Sequence, residues 1–220
     1  MPAFPFDIVA FDLDGTLADT APDIAGGINR MLADLGRAPL TEAEIRPLIG
    51  DGARNLLRRV LTATGGSTEK LLDEAHPLYL DHYAAHICDG TVPFPGVEQA
   101  MDELAALRVR LAVCTNKSVR MTGLLLDALG WTDRFAAIVC GDTLPVFKPD
   151  ASTLRETIRL AGGGRTVLVG DSMIDARTAR AAGTKFVAVG FGFRDRPVEA
   201  LGADAVIDSY DALIPALRSL

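Results

Sequence analysis

From residue 110 onward, short apolar runs alternate with amphipathic stretches, and this alternation limits the fold more than any other feature of the chain. The runs are 110–114, 135–140, 166–170, 186–189 and 205–207, and helical spacing is predicted over 97–107, 118–129, 151–160 and 174–182. A further run, Ile8-Val9-Ala10-Phe11, stands near the N-terminus. Runs of β-branched and apolar residues without polar alternation read as strands buried on both faces, and strands separated by helices pair in parallel. The helices must then cover both faces through right-handed crossovers, which leaves few windings. The expected fold is α/β, a doubly wound parallel sheet with a Rossmann-like core.

Between the first strand and residue 93 the texture is helical. Asp19 or Thr20 can cap a first helix with Pro22 in its first turn and Ile24, Ile28, Met31, Leu32 and Leu35 on one face. Thr41-Glu42-Ala43-Glu44 has the form of a capping box that opens a short second helix. The glycine-flanked turn Gly50-Asp51-Gly52-Ala53 opens a third, and a fourth follows Ser67, where Pro77 is expected to kink or divide it. The chain returns through the Pro/Gly linker Thr91-Val92-Pro93-Phe94-Pro95-Gly96. The expected organisation is a core of residues 1–17 and 93–220 with a helical cap, 18–92, inserted into it, and hinges at the crossings near Ala18 and Val92.

Polar residues gather where the strands end. Asp12 and Asp14 follow the first strand, Thr115-Asn116 follows 110–114, Lys148 lies in the loop after 135–140, and Asp171 follows 166–170 with Asp175 one helical turn on. Singly, each has a bland explanation as an acidic turn, a helix cap or a surface cation. Open parallel sheets bind ligands outside the carboxyl ends of their strands, so their shared edge points to chemistry.

Several function classes are disfavoured. With 22 basic and 29 acidic residues the net charge is -7, which repels nucleic acid and anionic membranes. No apolar run reaches the eighteen or so residues of a membrane span, and no basic segment followed by a long apolar stretch opens the chain, so a cytoplasmic location is expected. Cys88, Cys114 and Cys140 form no CxxC pair and read as core residues. His76, His82 and His86 all lie in the helical segment, away from the strand ends, and His82 and His86 lack an evident third metal ligand. Neither Gly162-Gly163-Gly164 nor Gly190-Phe191-Gly192 has the spacing of a dinucleotide fingerprint.

Taken in order, Asp12-x-Asp14-Gly-Thr16, Val113-Cys114-Thr115-Asn116, Lys148-Pro149 and Gly170-Asp171-Ser172-x-x-Asp175 make the sequence resemble the haloacid dehalogenase superfamily of phosphotransferases over essentially its whole length. The helical segment resembles that superfamily's cap. Pro95-Gly96-Val97, Thr115-Asn116-Lys117 and Gly50-x-Gly52-Ala53 resemble its phosphoglycolate phosphatase branch. The resemblance implies an Mg²⁺-dependent phosphomonoesterase whose partner is a small phosphoester. It also implies that the carboxylates of Asp12 and Asp171 and the backbone carbonyl of Asp14 bind the metal.

The chemistry expected of these residues is consistent with that family. Asp12 would attack phosphorus and form an aspartyl-phosphate, and Asp14 would protonate the leaving oxygen and then activate water. Lys148 would offset charge on nucleophile and substrate, Thr115 and the Asn116 N–H would bind phosphoryl oxygens, and Thr16 and Asp175 would support the site. Gly50, Gly52, Ala53 and Arg54 form a glycine-rich helix start with a cation, suited to a second anionic group, so a phosphorylated acid such as 2-phosphoglycolate is the expected substrate. A phosphoglucomutase-like isomerase or another small-molecule phosphatase shares the core residues. A dehalogenase has no leaving oxygen for Asp14 to protonate, and a phospho-accepting signalling module has no place for a helical insertion of this size.

Overall fold

The computed structural model describes residues 4–193 and 196–220, so residues 1–3 and 194–195 of the expected core segments lie outside the described residues. Six strands form one parallel sheet: β1 (Ile8–Phe11), β4 (Arg110–Cys114), β5 (Ala137–Val139), β6 (Thr166–Gly170), β7 (Lys185–Val189) and β8 (Ala205–Ile207). Their order is β5-β4-β1-β6-β7-β8. β1 is central, with Ile8 beside both Arg110 and Thr166 and Phe11 beside both Val113 and Val169. The winding proceeds outward from β1 to β5 and then crosses back to β6, which puts the topological switch point at β1.

Successive side chains of a strand point to opposite faces, and β1 separates two cores accordingly. Val9 and Phe11 join the cluster under α5 (Val97–Ala106), α6 (Val119–Ala128) and α9 (Leu213–Arg218). Ile8 and Ala10 face α7 (Ala151–Leu160) and α8 (Met173–Ala182) through Leu154, Ala176 and Ala179. Cys114 and Cys140 are buried, Cys88 is half-buried, and all three thiols are free.

The helical segment leaves the sheet at β2 (Ala18–Asp19) and returns at β3 (Val92–Pro93), two short strands that pair antiparallel. Between them lie α1 (Ala21–Asp34), α2 (Glu42–Ile45), α3 (Ala53–Ala63) and α4 (Glu69–Ala85). They share a separate core that includes Ile28, Leu32, Leu57, Val60, Leu72 and Tyr83. The capping box at α2 forms: Glu44 N–H donates to Thr41 Oγ1 at 3.3 Å, and Thr41 N–H donates to the Glu44 carboxylate at 2.7 Å. The buried carboxylate of Asp23, in the first turn of α1, accepts from the N–H groups of Gly90 and Thr91 at 2.9 and 2.7 Å and so ties α1 to the returning chain.

Two local expectations are narrowed. Pro77 lies inside α4 without dividing it. Leu72 and Ala75 before it, and Tyr79 and Tyr83 after it, are all buried in one core, and burial of that many apolar groups at about 1.5–3 kcal/mol each for the larger ones exceeds the roughly 3 kcal/mol a helical proline costs. At α1, Thr20 stands at the N-cap position without a capping bond; Asp19 Oδ1 accepts from Ala21 N–H instead, at 3.3 Å, and the Thr20 hydroxyl is engaged elsewhere. Among the described residues no helix is long and apolar enough to cross a membrane.

Candidate active site

The carboxyl ends of β1 and β6 bring Asp12 and Asp171 together, and the first turn of α8 adds Asp175. One oxygen from each lies within 4.8 Å of the others, and all three residues are buried. Asp12 continues the ladder past β1, its N–H donating to the Val169 carbonyl at 2.9 Å. Lys148 is 1% exposed and enters the same cluster, with Nζ 3.0 Å from Asp12 Oδ1 and 2.6 Å from Asp175 Oδ1. Its backbone is held by the Asn116 side chain, which accepts from Lys148 N–H at 2.9 Å and donates to the Lys148 carbonyl at 3.1 Å. The same Asn116 amide donates to the Gly50 carbonyl at 3.2 Å, so it links the sheet edge to the helical segment. Gly141 passes so close that a Cβ there would overlap the Asn116 carbonyl.

The carboxylates differ in how fully the protein satisfies them. Asp175 Oδ1 accepts from Lys148, and its Oδ2 accepts from the N–H and hydroxyl of Ser172 at 3.1 and 2.6 Å, the capping box of α8. Asp171 accepts from Thr16 Oγ1 at 3.3 Å and from Phe193 N–H at 2.6 Å. Asp12 Oδ1 is buried beside Lys148 yet has no hydrogen bond of acceptable geometry. Thr16 is itself fixed, its carbonyl accepting from the Tyr210 hydroxyl at 2.7 Å.

Burial pushes the Asp12 carboxyl up to about 6, against the pull of Lys148 and with the push of Asp175 and Asp14. Burial raises Asp171 well above the usual carboxylate range, and the charges of Asp175 and Asp12 add to it. Burial works against the Lys148 ammonium, but Asp12 and Asp175 outweigh it and hold the pKa above that of an ordinary lysine. Three clustered carboxylates with one ammonium leave an excess of negative charge. An all-oxygen donor set with an unsatisfied buried oxygen suits a hard divalent cation, which prefers one or two carboxylates.

Asp14 occupies a separate position. Its Oδ1 accepts from Thr20 Oγ1 at 2.7 Å and from Lys117 Nζ at 2.8 Å, and Lys117 Nζ also donates to the Tyr83 hydroxyl at 2.6 Å. These contacts leave no mark in the sequence. Tyr83 has the spacing of a helix-face residue, Thr20 that of a cap, and nothing in their separation from Asp14 and Lys117 signals that they meet.

A pocket opens above this cluster. Asp12, Asp14, Thr115, Asn116 and Lys117 line it from the sheet edge, and Gly50, Gly52, Ala53 and Tyr83 from the helical segment. Thr115 is buried, its hydroxyl accepting from Lys117 N–H at 3.2 Å, whereas the Asn116 N–H has no hydrogen-bond acceptor among the described residues. Gly52, at φ 88°, is the N-cap of α3 and offers no side-chain cap, so the first N–H groups of that helix are not capped by a side chain. The Arg54 side chain departs from the expected position. It is exposed, lies off the wall of this pocket, and pairs with Glu69 and Asp73 at 3.0 and 2.7 Å, because the second residue of α3 projects toward α4. Asp51, which would repel an anion, pairs with Arg59. His82 and His86 pair with Asp34 and Asp89 at the surface.

Known proteins agree with this architecture. The family model for haloacid dehalogenase-like hydrolases matches residues 9–189. The chain is 42% identical over 207 residues to a phosphoglycolate phosphatase of Caulobacter vibrioides, covering 92% of this chain and 86% of that protein. It is 44% identical over 209 residues to a phosphoglycolate phosphatase of Mesorhizobium japonicum, covering 94% and 92%. Among solved structures, a predicted phosphoglycolate phosphatase from Haemophilus somnus 129pt superposes with a TM-score of 0.90 at 27% identity, over 96% of this chain and 97% of that one. CbbY from Rhodobacter sphaeroides, in complex with phosphate, gives 0.83 at 25% identity, over 98% and 100%. With the model spanning most of the chain and the relatives matching nearly end to end, this chain belongs to the haloacid dehalogenase-like hydrolase family.

Proposed function

We propose that this chain is an Mg²⁺-dependent phosphomonoesterase that hydrolyses a small phosphorylated carboxylic acid, with 2-phosphoglycolate as the substrate. The observation that carries the proposal is the buried Asp12, set between Lys148 and Asp171 at the floor of a pocket that also holds Asp14. The Caulobacter and Mesorhizobium relatives, 42% and 44% identical, are phosphoglycolate phosphatases, which agrees with it.

In this reading an Asp12 oxygen attacks phosphorus, the bond to the ester oxygen breaks, and Asp14 gives that oxygen its proton. Asp14 then takes a proton from water, which attacks the aspartyl-phosphate, releases phosphate and restores Asp12. A phosphate dianion beside ionised Asp12 and Asp171 assembles four negative charges, and each unit pair at 4 Å repels by about 4 kcal/mol at an effective dielectric of 20. Lys148 offsets part of this. When bound, Mg²⁺ supplies the remaining positive charge, held by the carboxylates of Asp12 and Asp171 and the backbone carbonyl of Asp14. Asp175, both of whose oxygens are taken by protein donors, holds Lys148 in place, and Thr16 supports Asp171. The Thr115 hydroxyl and Asn116 N–H receive phosphoryl oxygens as preorganised donors.

The substrate carboxylate is assigned to the start of α3, where Gly50 and Gly52 allow close backbone approach and the N–H groups of Ala53 and Arg54 face an anion with the favourable end of the helix dipole. Segment 18–92 acts as the cap, moving about the paired crossings at Ala18–Asp19 and Val92–Pro93 to admit substrate and exclude water. A diffusible substrate and three free thiols suit a cytoplasmic enzyme.

Phosphate release from a panel of phosphomonoesters, with Mg²⁺ and with a chelator, tests the proposal. Expected are metal-dependent release and a preference of roughly tenfold or more for 2-phosphoglycolate over an uncharged ester of similar size. Asp12→Asn should lose turnover by at least about a thousandfold with an unchanged circular dichroism spectrum. Undiminished release in chelator, or Asp12→Asn activity within tenfold of the parent, would refute it.

A further inference from the structure

Asp14 is held by one oxygen. The Thr20 hydroxyl and the Lys117 ammonium both donate to Oδ1, so the carboxyl is clamped on one side while Oδ2 has no protein donor among the described residues. A clamp of this kind fixes the carboxyl plane and leaves the second oxygen for a ligand.

Lys117 depends in turn on the helical segment. It is 8% exposed, and a buried ammonium must place its three protons on acceptors; two of them go to Asp14 and to the Tyr83 hydroxyl. Tyr83 is fixed near the C-terminal end of α4. A Cβ at Gly27 of α1 would lie 3.1 Å from Tyr83 Cβ and 3.3 Å from its Cα, so the absence of a side chain at 27 is what lets the two helices close on this residue. The Tyr79 ring stacks on the Tyr83 ring with centroids 5.7 Å apart and planes 14° apart. The hydroxyl is therefore a rigid feature of the helical segment, and it reaches across to a lysine of the sheet edge.

We infer that Tyr83 is a positioning residue for Asp14. It seats Lys117, Lys117 clamps Asp14 Oδ1, and the docking of the helical segment on the sheet edge thereby sets the direction in which Oδ2 meets the leaving oxygen. The inference rests on the reading of Asp14 as the acid. Phenylalanine at 83 would keep the packing and the ring 4.6 Å from the ammonium but remove one acceptor, so Lys117 would lose its fixed seat and only the Thr20 hydroxyl would hold Oδ1 as firmly as before.

The test uses two esters without a carboxylate, ethyl phosphate and p-nitrophenyl phosphate. An alkoxide needs a proton to leave and nitrophenolate does not, and kcat/KM reports the steps through departure of the first product. The ratio of the two kcat/KM values therefore isolates proton delivery, and it does not depend on what fraction of a variant folds. Asp14→Asn should lower the ethyl-to-nitrophenyl ratio by about a hundredfold or more. Tyr83→Phe and Lys117→Met should each lower it by about tenfold, and Tyr83→Phe should add less than twofold in the Lys117→Met background. A Tyr83→Phe ratio within twofold of the parent, with the Asp14→Asn ratio shifted, overturns the inference alone. An equal further loss from Tyr83→Phe in the Lys117→Met background overturns the route through Lys117. An unshifted ratio in Asp14→Asn overturns the reading of Asp14 as the acid, and this inference with it.

Discussion

Replacing Lys148 by methionine removes a charge while nearly conserving volume. Its ammonium stands 3.0 Å from Asp12 and 2.6 Å from Asp175 in a site closed to solvent. At an effective dielectric of 20 each contact carries about 6 kcal/mol of attraction. The substitution also returns the cost of burying the ammonium, so the net loss at pH 7.5 without metal should be about 3–5 kcal/mol, the usual result of orphaning a buried charge. The loss should shrink in acid. In the parent, Asp12 is pushed up to about 6 against an ordinary 3.8, so the folded chain binds that proton more tightly than the unfolded chain, and stability falls as the pH climbs from 4 to 6. Without Lys148 this pKa rises further, and at pH 5.0 Asp12 carries a proton in place of its lost partner. Asp175 still loses its ion pair at pH 5.0, so the remaining penalty should be roughly half of that at pH 7.5, about 2 kcal/mol. Urea unfolding of parent and variant in chelator, at pH 7.5 and 5.0, measures both differences. Equal losses at the two pH values would show that the pairing of Lys148 with Asp12 contributes nothing to the difference.

Three other substitutions follow from the geometry. Asp171→Asn should raise the Mg²⁺ concentration for half-maximal phosphate release by roughly tenfold or more, and an unchanged metal requirement would remove Asp171 from the ligand set. Arg54→Ala should leave the preference for 2-phosphoglycolate over an uncharged ester within about twofold, because its guanidinium serves Glu69 and Asp73; exposed pairs of this kind are worth at most about 1 kcal/mol. Gly15→Ala should abolish metal-dependent turnover: at φ 79° a Cβ would lie 2.6 Å from Asp171 Oδ2 and 2.9 Å from the Phe193 ring, and the carboxylate would have to move. Retained activity with an unchanged metal requirement would contradict that contact.

The strands were legible because the middle of a doubly covered sheet has no polar face to confuse the reading. The runs at 8–11, 110–114, 166–170 and 205–207 match β1, β4, β6 and β8 residue for residue. The two edge strands differ: 205–207 coincides with β8, whereas 135–140 holds only the three residues of β5. Residues at strand ends were equally legible, since the topology alone places Asp12, Asp171 and Thr115 along one edge. What stayed hidden depends on side-chain reach between elements far apart in the chain. Thr20 has the local signature of a cap, but the oxygen it serves belongs to Asp14. Arg54 has the signature of an anion-binding cation, yet two carboxylates of α4 claim it, and the spacing of α3 alone says nothing about which neighbour lies within reach. Pro77 reads as a breaker because local propensity cannot see the tertiary core that spans it.

The central position of β1 governs how the enzyme comes into being. The strand that leads to Asp12 is made before the rest of the sheet, but both of its hydrogen-bonding neighbours begin far downstream, at Arg110 and Thr166. Long loops must close before those contacts can form, which makes the assembly of this sheet slow relative to the helices between them. The helical segment, whose core is built from residues 24 to 87 apart from Met121, can gather early, while the acidic cluster waits for β6 and the first turn of α8. A nascent chain halted before residue 175 would thus carry Asp12 and Lys148 without the carboxylate that pairs with Lys148, and the acidic cluster is complete only once most of the sheet is made.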